Sequence, residues 1–211
     1  MLRITVTAVA PDRESIGRAA SVLRAGGVAA IPTDTLYGLA ANPFDVAAIN
    51  KLFTIKRRDL EKAIPLVAAD MAQVEASIGV LPALGARLAR AFWPGPLTLV
   101  VRAPETLAVE VTGGTGTVGV RVPACEVTRA LCAAARLPLT ATSANISGEP
   151  PTNLPETVAA SLGARLDVLL DSGPTAGGPP STIVDVTGPE PRLIRAGAIT
   201  WDAVLAAATE K

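Results

Sequence analysis

Histidine is absent from the 211 residues of this sequence. That absence excludes Ser-His-Asp triads, Cys-His nucleophile pairs and every zinc site that needs an imidazole ligand. Cysteine is almost as scarce: Cys125 and Cys132 lie seven residues apart in an Ala-rich stretch with the pattern of a helix. We interpret both as small buried hydrophobic residues in a protein of a reducing compartment.

Neither sign of charge is in excess, since 19 Lys and Arg residues balance 19 Asp and Glu residues. A neutral chain has no long-range field that recruits nucleic acid or an anionic membrane, so any RNA contact would have to be local and weak. No apolar run is long enough to cross a bilayer, and the N-terminal segment reaches a proline and charges before it attains the length of a secretory signal. We therefore expect a soluble cytoplasmic protein without a membrane contact.

Aromatic residues make up only 3% of the chain, whereas hydrophobic residues of all kinds make up 49%. The core is therefore expected to consist of closely packed Ala, Val, Leu and Ile. The length suits one core, and we expect one domain over residues 1–211. Strand and helix patterns alternate without a regular βαβ rhythm, which favours an open α/β (α+β) domain with a mixed, twisted β-sheet flanked by helices.

Periodicity and capping residues predict the individual elements. Strands are expected at residues 2–6, 28–31, 64–68, 97–101, 118–122, 139–141, 168–170, 183–186 and 193–194. Helices are expected at residues 12–26 with Asp12 as the N-cap, at 47–55, 82–92 and 127–135 and after residue 200. A further helix is expected from Asp70, which has capping-box spacing to Gln73. The Pro/Gly-rich segments 148–155 and 173–180 are expected to be loops.

Two common nucleotide-binding motifs are excluded. Gly114-x-Gly116-x-x-Gly119 has the spelling of the dinucleotide fingerprint, but that motif opens a helix, and residues 118–122 have the pattern of a strand. The Gly-Lys-Ser/Thr sequence of a P-loop does not occur. Any ATP site must therefore be of another kind.

Three other features have both a functional and a structural interpretation. The charged loop of residues 56–62 could clamp phosphate oxygens, or its charges could cancel in a solvated loop. Arg121, in an apolar strand, could grip a carboxylate with its planar fork, or could be a salt-bridged residue of an edge strand. The hydroxyl and amide side chains of residues 140–148 could line a site or form a turn.

Seven short motifs follow one another over nearly the whole chain. These motifs are IPTDTLYGL at 31–39, Lys56-x-Arg58 with Lys62, WPGPLT at 93–98, TVGVRVP at 117–123, SAN with SG at 143–148, STIVD at 181–185 and IRAG at 194–197. With these motifs in this order, the chain resembles the YrdC-domain family. Each motif is weak alone, and the ordered set is specific. The chain resembles the short, TsaC-like form, which lacks the additional C-terminal domain of longer relatives.

The resemblance implies a YrdC-like fold with a large concave cleft. It also implies an L-threonylcarbamoyladenylate synthase, a nucleotidyltransferase that joins L-threonine, bicarbonate or CO2 and ATP into threonylcarbamoyl-AMP and pyrophosphate. The product would serve N6-threonylcarbamoyladenosine modification of tRNA through downstream threonylcarbamoyl-transfer proteins. A carbamate formed on the threonine amine can itself attack the α-phosphorus, so no protein nucleophile is required.

The resemblance further implies a set of site residues. L-threonine would be bound by Thr35, Arg121, Ala141 and Ser181. ATP would be bound by Arg58, Lys62, Thr117, Ser143, Asn145, Pro151 and Arg195. Lys56 and Arg58 would act in catalysis together with Mg²⁺. Two departures reduce this match, since Pro151 stands where many relatives have a serine, and Ala69 lies near a position that is polar in some relatives.

Two alternatives stay open at this level. YrdC-like domains have also been viewed as modules that bind double-stranded RNA or tRNA without synthase activity, although net neutrality disfavours this function. The second alternative is a carbamoyl-transfer domain of the kind found in hydrogenase maturation proteins. Those proteins are much larger and carry zinc-finger and acylphosphatase regions that this sequence lacks.

Overall fold

The structure is a computed structural model that describes residues 1–57 and 63–209. The strands in these two ranges are β1 (Leu2–Thr5), β2 (Ala29–Ile31), β3 (Gly38–Ala40), β4 (Leu66–Val67), β5 (Leu97–Arg102), β6 (Thr117–Arg121), β7 (Leu139–Thr140), β8 (Thr142–Ser143), β9 (Val168–Asp171), β10 (Thr182–Asp185) and β11 (Arg192–Arg195). The helices are α1 (Arg13–Arg24), α2 (Val46–Lys56), α3 (Met71–Ser77), α4 (Ala83–Phe92), α5 (Val109–Thr112), α6 (Glu126–Ala135), α7 (Pro155–Leu162) and α8 (Trp201–Thr209). A single 3₁₀ turn, Gly163–Arg165, follows α7.

The strands form two mixed sheets. The first has the order β1-β9-β2-β3-β8, and the second has the order β11-β10-β5-β6-β4-β7. Both contain parallel and antiparallel pairs. The predicted α/β class with mixed strand pairing flanked by helices is confirmed, but the strands divide between two sheets, whereas one sheet was expected.

The chain passes directly from one sheet to the other at Ala141. Strand β7 ends at Thr140 in the second sheet, and β8 begins at Thr142 in the first. The amide of Ala141 donates to the carbonyl of Pro65 at 2.8 Å, which fixes this crossing to the start of β4. The strand predicted over residues 139–141 therefore ends at Thr140, and the two sheets meet at Ala141.

Asp residues begin three of the helices, and two of them, Asp12 and Asp70, are the caps that the sequence predicts. The side chains of Asp12, Asp45 and Asp70 each accept hydrogen bonds from backbone amides in the first turn of α1, α2 and α3. The side-chain oxygen of Gln73 accepts from the amide of Ala69, one residue before the N-cap, at 2.8 Å, so the second bond of the predicted capping box is displaced by one residue. These local signals place the helix starts correctly.

Four strands and helices were not predicted: β3, β8, α5 and α7. Strand β3 is only three residues long and lies between two loops. Helix α7 begins with Pro155 at its first turn, and this proline had been assigned to a Pro/Gly-rich loop. Proline is tolerated at the first helical position because its missing N–H would have no partner there.

The core is aliphatic, as the composition predicts, and falls into two clusters of buried side chains. Cys132 is fully buried in one of them, and burial raises the pKa of its thiol well above the usual range. Cys125 is half-buried at the N-terminus of α6. In the described ranges no helix has both the length and the apolar character to span a membrane.

Candidate active site

A cavity of about 340 Å³ opens where the two sheets meet. The loop after β2, the start of β3 and strand β8 supply one wall, and β4 with parts of β5, β6, β10 and β11 supplies the other. Six residues predicted from the sequence line this cavity, and they are Thr35, Arg121, Ala141, Ser143, Ser181 and Arg195. These residues come from five separate segments of the chain, so only the tertiary fold brings them together.

Arg121 is a buried cation at the end of β6. Its side chain is 8% exposed, and its Nη1 donates to Oδ1 of Asp34 at 2.8 Å. Burial lowers the pKa of Arg121, and the charge of Asp34 opposes that shift. Arg121 therefore forms a salt bridge, as its structural interpretation predicts. The predicted edge position is wrong, because β6 pairs with β5 on one side and with β4 on the other.

Arg195 lies at the end of the edge strand β11 and is more exposed than Arg121. Its guanidinium donates to the carbonyl of Ser181 at 2.7 Å and to the Ser181 hydroxyl at 3.1 Å. Burial, and then the nearby charge of Arg121, lower the pKa of Arg195. Two arginines that repel each other across one cavity favour an anionic ligand between them.

The loop after β2 is held in shape by the hydroxyl of Thr33. This oxygen accepts from the amides of Thr35 and Leu36 at 3.2 and 3.3 Å and donates to the Leu36 carbonyl at 2.7 Å. The Thr35 hydroxyl lies 3.2 Å from it. On the opposite wall the Thr98 hydroxyl lies 2.8 Å from that of Ser181. Hydroxyl groups therefore face the cavity from both sides.

Lys56 is buried, with 2% of its surface exposed, and is not among the cavity-lining residues. Its Nζ donates to the carbonyl of Ser143 and, at 3.0 and 3.4 Å, to the carbonyl and the side-chain oxygen of Asn145. The Asn145 amide nitrogen donates in turn to the carbonyls of Ile146 and Glu149 at 3.0 and 2.6 Å. Lys56 and Asn145 thus hold the segment that carries Ser143, and this geometry favours positioning roles for both.

Two other predicted residues, Thr117 and Pro151, lie away from the cavity. Thr117 is at the far end of β6 from Arg121, and its hydroxyl lies 3.0 Å from that of Thr115. Pro151 is exposed in the loop before α7. Neither lines the cavity formed by the described residues. Arg58 and Lys62 lie outside the residues that the structure describes.

Comparison with known proteins gives the family. The model of the family Sua5_yciO_yrdC, described as telomere recombination, matches residues 21–197. The chain belongs to this Sua5/YciO/YrdC family. The family predicted from the ordered motifs is therefore confirmed.

Several members of the Sua5/YciO/YrdC family are similar to this chain in sequence. Threonylcarbamoyl-AMP synthase of Pyrococcus abyssi is 37% identical over 186 residues, which cover 88% of this chain and 55% of that protein. Threonylcarbamoyl-AMP synthase of Alkalilimnicola ehrlichii is 41% identical over 159 residues, covering 75% of this chain and 83% of that protein. The match to the Bacillus subtilis relative also spans 55% of that protein, so this chain corresponds to about half of two longer relatives.

A solved structure of the family shares the fold. The crystal structure of P. abyssi Sua5 complexed with L-threonine has a TM-score of 0.93 to this chain at 34% identity. The alignment covers 100% of this chain and 62% of the P. abyssi chain. The two mixed sheets described above are therefore those of a Sua5 protein.

Several hydroxyl residues of the cavity, Thr33 and Thr98 among them, were not assigned a role from the sequence. Thr98 lies within the predicted strand 97–101 and Thr33 within the first motif, but neither was named as a site residue. Thr98 could have been noticed in the sequence, because it is a polar residue in an otherwise apolar strand. Side chains alternate between the two faces of a strand, so a hydroxyl at this position lies on one definite face. Thr33 had no such signal, since its role comes from bonds to its own loop.

Gly197 should be required for the geometry of Ser181 and Arg195. A methyl group at this position would lie 2.6 Å from the carbonyl carbon of Ser181 and closer still to the carbonyl oxygen of Pro180. We expect Gly197→Ala to lower the free energy of unfolding by about 1–3 kcal/mol, the usual cost of overpacking. Chemical denaturation measures this change.

Gly188→Ala is the matched control for that substitution. A methyl group at Gly188 would meet no atom within 4 Å, so the control should change stability by less than about 0.5 kcal/mol. Equal stability of the two variants would contradict the close packing of β11 against Ser181.

Proposed function

We propose that this chain forms threonylcarbamoyl-AMP and pyrophosphate from L-threonine, bicarbonate or CO2, and ATP. In the first step the threonine amine captures the one-carbon unit to form a carbamate, and water is released when bicarbonate is the source. In the second step a carbamate oxygen attacks the α-phosphorus of ATP, and the bond to the β-phosphate bridging oxygen breaks to release pyrophosphate. The adenylate would pass to tRNA threonylcarbamoyl-transfer proteins in the cytoplasm for N6-threonylcarbamoyladenosine formation.

The observation that supports this proposal best is the convergence of Arg121 and Arg195 on one hydroxyl-lined cavity. The reaction brings together an amino-acid carboxylate and a triphosphate, and both are anions that arginine binds well. The membership of the chain in the Sua5/YciO/YrdC family, with relatives named threonylcarbamoyl-AMP synthase, supports the same reaction.

In this proposal Arg121 binds the carboxylate of L-threonine. Asp34 contacts the Arg121 guanidinium through Nη1, and it is the one acidic partner of that group in the described part of the chain. The other N–H groups of the planar guanidinium then serve the ligand. Thr35, Ser181 and the backbone at Ala141 complete the amino-acid side of the cavity.

The nucleotide side is assigned to Ser143 and Arg195, with Arg58 and Lys62 contributing further cations. Catalysis then consists of alignment of the carbamate with the α-phosphorus and of neutralisation of phosphate charge. Lys56 and Asn145 act through Ser143, since they hold its backbone. Thr117 and Pro151 keep their sequence-based assignment to ATP as predictions.

Magnesium would have few protein ligands at this site. Within residues 1–57 and 63–209, no three Cys, Asp or Glu side chains group closely enough to hold a metal ion, and Asp34 is engaged by Arg121. A site built only from protein carboxylates therefore does not fit the described residues, but Mg²⁺ usually binds through substrate phosphates with one or two carboxylates and needs no such site. We propose that any Mg²⁺ is bound to the triphosphate, and we assign no step to it.

Pyrophosphate release should require ATP, L-threonine and bicarbonate together. Omission of any one should reduce the rate to background, because the carbamate is the only nucleophile for the α-phosphorus. The measurement is coupled pyrophosphate detection, with threonylcarbamoyl-AMP identified by mass spectrometry. Threonine-independent release would contradict the proposal. Salt-sensitive RNA binding without any pyrophosphate release would favour the RNA-binding alternative.

A further inference from the structure

Residues 172–178 form the first part of the connection between β9 and β10 and are hydrogen-bonded to the 33–37 turn, and we name them the clasp loop. It is fixed at its base by Tyr37, which is fully buried. The Tyr37 hydroxyl donates to the carbonyl of Gly173 at 2.7 Å and accepts from the amide of Ser172 at 3.3 Å. Its pKa is raised by burial, so the hydroxyl keeps the proton that it donates.

The far end of the clasp loop holds the backbone of Thr35. The carbonyl oxygen of Thr35 accepts from the hydroxyl of Thr175 at 2.7 Å and from the amide of Gly177 at 2.8 Å. Gly177 and Gly178 have φ values of +71° and +90°, a conformation that side chains other than glycine rarely adopt. This backbone turns the Gly177 amide back toward Thr35.

Thr175 also joins the clasp loop to the segment before α7. Its amide donates to the carbonyl of Asn153 at 2.9 Å, and the side-chain amide of Asn153 donates to the carbonyl of Thr175 at 3.2 Å. The amide of Tyr37 donates to the carbonyl of Thr152 at 3.0 Å. These hydrogen bonds join three segments that are distant in sequence, namely the 33–37 turn, residues 152–153 and the clasp loop.

Thr35 is held on two sides by this arrangement. Its amide donates to the Thr33 hydroxyl inside the turn, and its carbonyl is held by the clasp loop outside the turn. Its side chain lines the cavity. Because both peptide groups of Thr35 are held, the place of its Cα and Cβ is set, and the hydroxyl is limited to the rotamers that this backbone allows.

We propose that Thr175 is a positioning residue for the amino-acid side of the cavity and acts through the Thr35 carbonyl; this inference rests on the proposed function. Thr175 is assigned no contact with substrate. Its hydroxyl is one of two donors that set the place of Thr35, and small displacements of substrate-contacting groups cost binding and rate.

Thr175→Val removes the hydroxyl and keeps the shape of the side chain. We expect the KM for L-threonine to rise about fivefold, as loss of one ordinary hydrogen bond implies, while the KM for ATP changes less than twofold. Thr175→Ser should restore the wild-type value. Asn153→Ala should raise the KM for L-threonine in the same direction, because Asn153 holds the Thr175 carbonyl.

Thr7→Val is the matched control, because the Thr7 hydroxyl also donates to a backbone carbonyl, that of Ala10, at an exposed place outside the cavity. This control should leave both KM values unchanged. A wild-type KM for L-threonine in Thr175→Val, or failure of Thr175→Ser to restore it, would overturn the positioning role.

Amide exchange separates this inference from the proposed function. In the free protein, the amide of Gly177 should exchange faster in Thr175→Val than in wild type, because the clasp has lost one of its two bonds to Thr35. If wild-type protein released no threonine-dependent pyrophosphate, the proposed function would fail, and exchange would then decide whether Thr175 fixes Thr35. Unchanged exchange at Gly177 would refute the clasp.

Discussion

Arg121→Ala should reduce kcat/KM for L-threonine by about 100-fold to 1000-fold, the usual effect of removing one strong charge-assisted donor from an active site. The substitution removes the proposed carboxylate partner and leaves the carboxylate of Asp34 without the cation that it contacts at 2.8 Å. Breaking such a buried pair should also lower the free energy of unfolding by about 3–5 kcal/mol. Steady-state pyrophosphate release and chemical denaturation measure the two effects.

Arg121→Lys keeps the test valid if the alanine variant does not fold. Lysine retains the positive charge beside Asp34 but lacks the planar fork that binds a carboxylate with two parallel bonds. We therefore expect a folded protein with a raised KM for L-threonine.

Arg192→Ala is the matched control, because Arg192 pairs with Asp185 at 2.7 Å while its side chain is 74% exposed. The side chain of Asp185 is only 11% exposed, but it keeps the hydrogen bonds from the amide and hydroxyl of Thr187 when Arg192 is removed, so we expect loss of this pair to cost about 1 kcal/mol. Normal turnover in Arg121→Ala would refute the site assignment.

Lys56→Met should lower both stability and turnover. The substitution leaves the buried oxygens of Ser143 and Asn145 without the ammonium group that they contact. Loss of hydrogen bonds to a buried charge should cost about 2–4 kcal/mol in the free energy of unfolding. Turnover should fall about 100-fold, because Ser143 would lose the group that holds its backbone. Thermal or chemical denaturation and pyrophosphate release measure these changes.

The two effects together decide the role of Lys56. A residue that acts only on the phosphates would leave stability unchanged, whereas a positioning residue lowers stability and turnover together. Lys51→Met is the control on the same helix, because Lys51 forms an exposed ion pair with Asp167 at 2.6 Å. This control should change stability by less than about 1 kcal/mol and leave turnover intact. A stable but inactive Lys56→Met variant would favour the direct catalytic role predicted from the sequence.

Much of the local structure could be predicted because its causes are local. Asp12, Asp45 and Asp70 begin helices through bonds to amides two or three residues away. The dinucleotide fingerprint was correctly rejected, since its last glycine lies inside strand β6. The α7 error was also local, because a proline was interpreted as a loop signal where it occupies the first turn of a helix.

The site was predicted less completely than the family. Six predicted residues line one cavity, but Lys56 points toward the Ser143–Asn145 segment, and Thr117 lies at the opposite end of β6 from Arg121. A motif in a sequence gives the order of residues and does not give the direction of each side chain. Strand length matters here, because four residues along β6 correspond to about 13 Å.

The amino-acid sequence alone determined the aliphatic core, the starts of α1 and α3, the family and six of the residues that line the cavity. The tertiary structure decided the division into two sheets, the crossing at Ala141, the pairing of Arg121 with Asp34 and the inward direction of Lys56. Helix starts and core composition depend on near neighbours, whereas these pairs join residues 87 and 89 positions apart. Contacts at such separation depend on how all the intervening strands pack, which no local pattern specifies.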